Sequence, residues 1–282
     1  MAHLLEKLER VDRRIIFLVL ALALIIPLFA PIGLPLTISP PTRAFYEVME
    51  SLPEGSILWF GCEYSPGASG ELNPQLAAVF RHAMSRNLRV ILFSLWQDGP
   101  VLARSVVDPI AEEMGKVYGV DYVNLGYKPG GVSALRTILH DVWAGCANVD
   151  IDGTALSELP LMSEVRAIDP DTIKAVIVFS SGSPGDGDYL TYWTEPLGII
   201  LMSGQVAVQV PTRMPQLQSG QQKGLIPGLS GAAEYETLMG KPSTATQLMD
   251  CQSMAHLAII IFLIIGNIGY LATVFGKKGG KE

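Results

Sequence analysis

Cysteine is scarce in this chain and forms no pattern. Cys62, Cys146 and Cys251 are too few for a disulfide scaffold, and no C-x-x-C pair occurs, so zinc is not suggested. One pair plus an odd thiol stays open, yet Cys62 at a strand end and Cys146 at a helix end read as small buried hydrophobes. Histidine is as thin. His3 and His256 flank apolar runs, while His82 and His140 fall on helices. A nucleophile needs a base within reach, and these positions offer little of one. Charged residues are only 17% of the sequence, and two long stretches near its ends have almost none.

Those stretches lift the hydrophobic content to 49%, high for a soluble chain of 282 residues. Ala255 to Phe275 is uncharged apart from His256 at its edge. At ~1.5 Å per residue, a helix of this length spans the ~30 Å hydrocarbon core of a bilayer. Ile15 to Leu36 is also of membrane length. It is longer than the core of a cleaved signal, and Pro27, Pro31 and Pro35 stand where a small-residue cleavage site would be. A retained anchor is the reading, with cleavage as the alternative. Lys7, Arg10, Arg13 and Arg14 precede the first run, and Lys277, Lys278 and Lys281 follow the second. Basic flanks face the cytoplasm, which puts both termini there and everything between outside it. The tails are net positive while the whole chain carries −7, so the intervening segment is acidic. That argues against nucleic acid or anionic lipid as the main partner.

Between the runs, strand and helix patterns alternate. Helix is expected over 42–52, 74–87 (Asn73 as N-cap, Pro74 at the first position), 100–114 with a kink at Pro109, and 131–147. Continuous apolar runs predict strands over 56–62, 89–95, 118–125 and 172–180. Residues 197–210 fit a strand or a short apolar helix. The expected fold class is α/β: two transmembrane helices flank one extracytoplasmic three-layer α/β domain with a mostly parallel, Rossmann- or flavodoxin-like sheet. The boundaries are a tail over 1–14, a membrane helix over 15–36 and the α/β domain over 37–210. A Gly/Gln/Pro-rich segment (211–254), a second membrane helix (255–276) and a tail (277–282) complete the chain. Gly220, Gly224, Gly228 and Ala232 recur every four residues. On a helix they would form a smooth contact face; as a loop they would serve turns.

Asp150-Ile-Asp152-Gly-Thr154 resembles the D-x-D-G-T signature of haloacid-dehalogenase-type phosphatases. The resemblance implies Asp150 as nucleophile, Asp152 as acid/base, Mg²⁺ between them, and Ser180 or Ser181 as the second motif. The match covers five residues, and only Lys223 and Lys241 occur in the part that would carry the remaining motifs. An Asp-rich turn is the alternative. The Ser180–Asp188 loop offers backbone N–H groups or a serine nucleophile such as Ser181, but it is acidic and reads first as a turn.

In an open α/β sheet, ligands bind outside the carboxyl ends of the strands. This makes Glu63, Ser94, Asp98, Lys128, Ser180 and Ser181 the candidate ligand-binding residues. Trp193, with Tyr189 and Tyr192, suggests an aromatic contact patch, and Gly266 and Gly269 suggest helix contact in the last run. No cofactor and no metal is expected. The leading expectation is a non-enzymatic membrane-anchored assembly subunit, partnered by the bilayer and by its own or other membrane chains. A ligand-binding or sensor domain, or an anchored hydrolase at Asp150/Asp152 or Ser180/Ser181, are the alternatives.

Overall fold

A computed structural model of the protein describes residues 12–30 and 32–278. In chain order its longer elements are α1 (Arg13–Phe29), α2 (Pro40–Ser51), β1 (Ile57–Glu63), α3 (Ser69–Ser85), β2 (Arg89–Ser94), α4 (Gly99–Glu113), β3 (Tyr122–Tyr127), α5 (Val132–His140), β4 (Ile173–Ser180), β5 (Ile200–Gln205), α6 (Val210–Gln218), β6 (Gly224–Pro227), α7 (Gly228–Leu238) and α8 (Thr244–Lys278). They fall into two units: 36–245, and 1–35 together with 246–282.

The first unit is α/β. Its six strands form one all-parallel sheet in the order β3-β2-β1-β4-β5-β6. The winding direction reverses between β1 and β4, as in a Rossmann-type doubly wound sheet. Parallel strands need both faces covered, which is why β1 is buried at every position. Leu58, Phe60 and Cys62 face one layer with Phe45, Leu76 and Tyr235. Ile57 and Trp59 face the other, with Leu135, Ile138 and Trp193. At ~25 cal/mol per Å², each buried aromatic of ~200 Å² contributes up to ~5 kcal/mol.

Local departures from the sequence expectations have identifiable causes. α3 begins at Ser69, ahead of Asn73, whose side chain accepts from the Tyr64 hydroxyl (2.9 Å) instead of capping. α4 runs unbroken through Pro109, since burial of Val107, Ile110 and Ala111 outweighs the one missing N–H. The expected helix over 131–147 breaks at Asp141 (φ −150°), whose carboxylate caps the Ala144 N–H at 3.0 Å. The segment after Val210 is no linker; it supplies α6, the edge strand β6 and α7 to this unit. Gly220 lies in a turn at φ +78°, Gly224 in β6, and Gly228 opens α7 at φ +57°. They share no helix face. Gly224 is there because a Cβ would lie 2.6 Å from the Phe45 Cβ, where α2 covers the sheet edge.

The second unit pairs α1 with α8 antiparallel, Ile16 and Leu20 sharing a groove with Ile259, Phe262 and Leu263. The Asp250 carboxylate accepts the backbone N–H groups of Ile32 (2.9 Å), Gly33 (2.9 Å) and Leu34 (3.2 Å). Among the described residues one helix, over Thr244–Leu271, is long and apolar enough to cross a membrane. The expected pair is thereby corrected to one. α1 has 17 residues and stops at Phe29, because Ala30 (φ −135°, ψ 84°) precedes a proline and leaves the helical region.

Candidate functional site

The reversal of winding separates the loops after β1 and β4, and Glu63 and Ser180, paired in register, end those two strands. Glu63 is fully buried on the face that carries Trp59. Its Oε1 accepts from the Tyr189 hydroxyl at 2.6 Å. Its Oε2 accepts from the Leu95 N–H at 2.8 Å and the Ser94 hydroxyl at 3.1 Å. Burial pushes the carboxyl up to about 7 against these donors. Gly61 provides the room for Tyr189, whose hydroxyl would sit 3.0 Å from a Cβ there. The same burial and the neighbouring Glu63 raise the Cys62 thiol and the Tyr189 phenol.

Beyond β4, Asp186 is buried and its Oδ1 lies 2.9 Å from an Arg213 guanidinium nitrogen of α6. Burial raises its pKa, with Arg213 and Gln205 opposing the rise. Gln205 lies beside it with neither amide atom in a well-aligned hydrogen bond, and the side-chain oxygens of Gln75 and Gln209 are likewise buried and unmatched. The Gln75 amide donates to the Gln205 (3.0 Å) and Gly228 (2.9 Å) carbonyls, and that of Gln209 to Ser181 O (2.6 Å). Trp96 closes the top, its indole donating to Pro184 O at 2.8 Å.

The predicted residues thus divide. Glu63, Ser94, Ser180 and Ser181 come together; Cys62 O lies 2.7 Å from the Ser94 hydroxyl as an alternative acceptor for its one proton, Ser180 donates to Gly182 O (3.0 Å), and the Ser181 N–H to Glu63 O (3.1 Å). Asp98 is exposed before α4 without a capping bond, and Lys128 is half-buried with its backbone N–H on Ser94 O (3.0 Å). Asp150 and Asp152 lie in a tight loop rather than at a strand end. Asp150 Oδ1 accepts from the Asp152 (2.9 Å) and Thr154 (2.8 Å) N–H groups, and its Oδ2 from the Tyr118 hydroxyl (2.9 Å). Asp152 forms a bidentate pair with Arg104 at 2.6 and 2.8 Å.

Trp193 is no surface patch: it is fully buried against Trp59 (5.2 Å) and Tyr189 (5.0 Å), with its indole N–H on Leu135 O. Ala232 is buried inside α7, Gly266 is exposed with open space above it, and Gly269 is buried. All three cysteines are free and buried, and burial pushes the Cys146 thiol up to about 12. Among the described residues no cluster of three His, Cys, Asp or Glu side chains could share a metal ion.

Fold and site together define a doubly wound α/β unit joined to a membrane-length helix, with a buried glutamic acid at the reversal of winding. No protein-family model and no curated protein matches the chain.

Proposed function

We propose that the chain is a membrane-anchored, non-enzymatic assembly subunit that associates with further copies of itself through α8. The observation that carries this is Asn267. It lies on an exposed face of α8, its amide nitrogen donating to Leu263 O at 2.8 Å within the helix. In hydrocarbon a half-used amide is costly, and a second copy's amide supplies the complement. It sits beside Gly266 on the rim of a groove of about 480 Å³. α1 lies against α8 as the shorter partner, about 26 Å long at 1.5 Å per residue. The basic residues that follow the apolar run of α8 in the sequence then face the cytoplasm, leaving the α/β unit outside it.

Asp150 and Asp152, the carboxylates proposed for chemistry, and Glu63, proposed for ligand binding, are engaged in bonds within the chain, which supports the same reading. Native mass spectrometry of the full-length protein from nanodiscs tests it. A multiple of 30.4 kDa is expected, collapsing to one chain in Asn267→Leu. A wild-type monomer overturns the proposal. A second reading, ligand binding at the strand ends, is favoured by the unmatched amide atoms of Gln205, beside Asp186, and of Gln75 and Gln209.

A further inference from the structure

Three consecutive residues of α7, Glu234, Tyr235 and Glu236, bond to three different parts of the α/β unit. Glu234 accepts the backbone N–H (3.0 Å) and the hydroxyl (2.5 Å) of Ser39, in the segment between α1 and α2. Glu236 accepts the backbone N–H groups of Ser243 (2.8 Å) and Ala245 (3.0 Å), where α8 begins. One helical turn thus holds both ends of this unit's chain. Between the two acids, the Tyr235 hydroxyl lies 2.7 Å from Nδ1 of His82 on α3.

His82 is buried. α2 brings it Glu50, whose Oε1 lies 2.8 Å from Nε2, and Tyr46, whose ring stacks on the imidazole at 5.0 Å. Arg86 of α3 takes the other Glu50 oxygen at 2.6 Å, and Glu113 of α4 is engaged by Arg81 at 2.7 and 2.8 Å. A carboxylate only accepts, so Nε2 carries the hydrogen of the neutral ring and Nδ1 accepts the Tyr235 proton. Every donor in this chain of bonds then meets an acceptor. A second ring proton has to sit on Nδ1, opposite the Tyr235 O–H. Tyr235 is fully buried against Phe45 (5.6 Å) and Tyr46 (5.7 Å), and its hydroxyl makes no other hydrogen bond among the described residues. Its proton then loses its acceptor, while Arg86 already offsets the Glu50 charge that favours an imidazolium. Burial holds the His82 pKa below its ordinary 6.5, against the pull of Glu50. The stability lent by the neutral ring is therefore full above 6.5 and is lost as pH falls through the lowered value.

We propose that His82 is a pH switch on the hold of α7: a proton on Nδ1 displaces Tyr235 and loosens the Glu234 and Glu236 bonds on either side of it. The neutral ring keeps the segments at Ser39 and at Ser243–Ala245 tight, and mild acid releases both together.

Hydrogen exchange of the full-length protein in nanodiscs, resolved by mass spectrometry, tests this between pH 7.5 and 5. It follows peptides carrying Ser39 and Ser243–Ala245, corrected for the pH dependence of the intrinsic rate. Protection is expected to fall about tenfold at both places, the size of one orphaned buried donor. His82→Asn, whose Oδ1 stands in for Nδ1 as the Tyr235 acceptor but takes up no proton, is expected to abolish the fall. Tyr235→Phe, which removes the competing O–H, is expected to abolish it as well. Each variant decides the matter alone, so misfolding of one leaves the test intact. Wild-type protection that does not change with pH overturns the proposal. So does a fall retained in either variant, which assigns it to Glu234 and Glu236 themselves. Subunit number does not enter the readout, so this result and the assembly reading stand or fall separately.

Discussion

Replacing Glu63 with glutamine measures how much the buried acid costs the fold. In the native state the carboxyl titrates near 7, against an ordinary 4.5. The folded protein therefore binds this proton more tightly than the unfolded chain. Between pH 4.5 and 7 the native state holds more protons at this site, so stability falls as pH rises through that window. Below the window both states are protonated and the cost vanishes; above it the full cost is present. The interval of about 2.5 pH units corresponds to roughly 3 kcal/mol at 1.36 kcal/mol per unit. Glutamine resembles the protonated acid, its oxygen accepting from the Leu95 N–H and its NH₂ facing the Tyr189 hydroxyl.

Glu63→Gln is thus expected to match the wild type near pH 4.5 and to exceed it by roughly 3 kcal/mol at pH 8. For a unit of this size that is about 6–12 °C in Tm. Unfolding of the full-length protein in nanodiscs, followed by tryptophan fluorescence from pH 4.5 to 8, gives the difference directly. Taking the difference removes other titrations, such as Glu113 and Glu164, which Arg81 and Arg89 hold below their ordinary value. A gap that does not change with pH, or a variant less stable at pH 8, would refute the reasoning.

Two further outcomes are expected. Gly224→Ala should lower stability by about 1–3 kcal/mol, read as a drop in Tm, because its Cβ would press on Phe45 at the covered sheet edge. Asp250→Ala should strip three backbone donors of their acceptor. A local cost of about 2 kcal/mol predicts a roughly 30-fold faster amide exchange at Ile32, Gly33 and Leu34. Unchanged exchange would show that the carboxylate does not hold that segment.

The sheet was legible where its strands are long and apolar. β1, β2 and β4 are built around apolar stretches (Ile57–Phe60, Val90–Phe93 and Ala175–Phe179), and such runs leave little choice of structure. β6 was not legible. Gly-Leu-Ile-Pro has four residues, two of them poor strand formers, and pairs only because β5 lies beside it. Glu63 could be placed at a strand end, since a polar residue closes an apolar run. Tyr189 could not be matched to it, because 126 positions separate them and only the crossover brings them together. Asp186 with Arg213 failed to show for the same reason, each reading alone as surface charge. Trp193 misled through composition: an aromatic-rich stretch looks like a contact patch until its helical turns fold under the sheet.

The Asp250 bond to the segment after α1 has a consequence in time. Ile32 and Asp250 are 218 positions apart. At roughly 5–20 residues per second, synthesis leaves α1 without this partner for roughly 10–40 s. The intervening α/β unit is complete in the chain before α8 emerges. Through that interval the backbone donors of Ile32, Gly33 and Leu34 lack their carboxylate acceptor. The helix made last is then the one that locks the segment after the first in place.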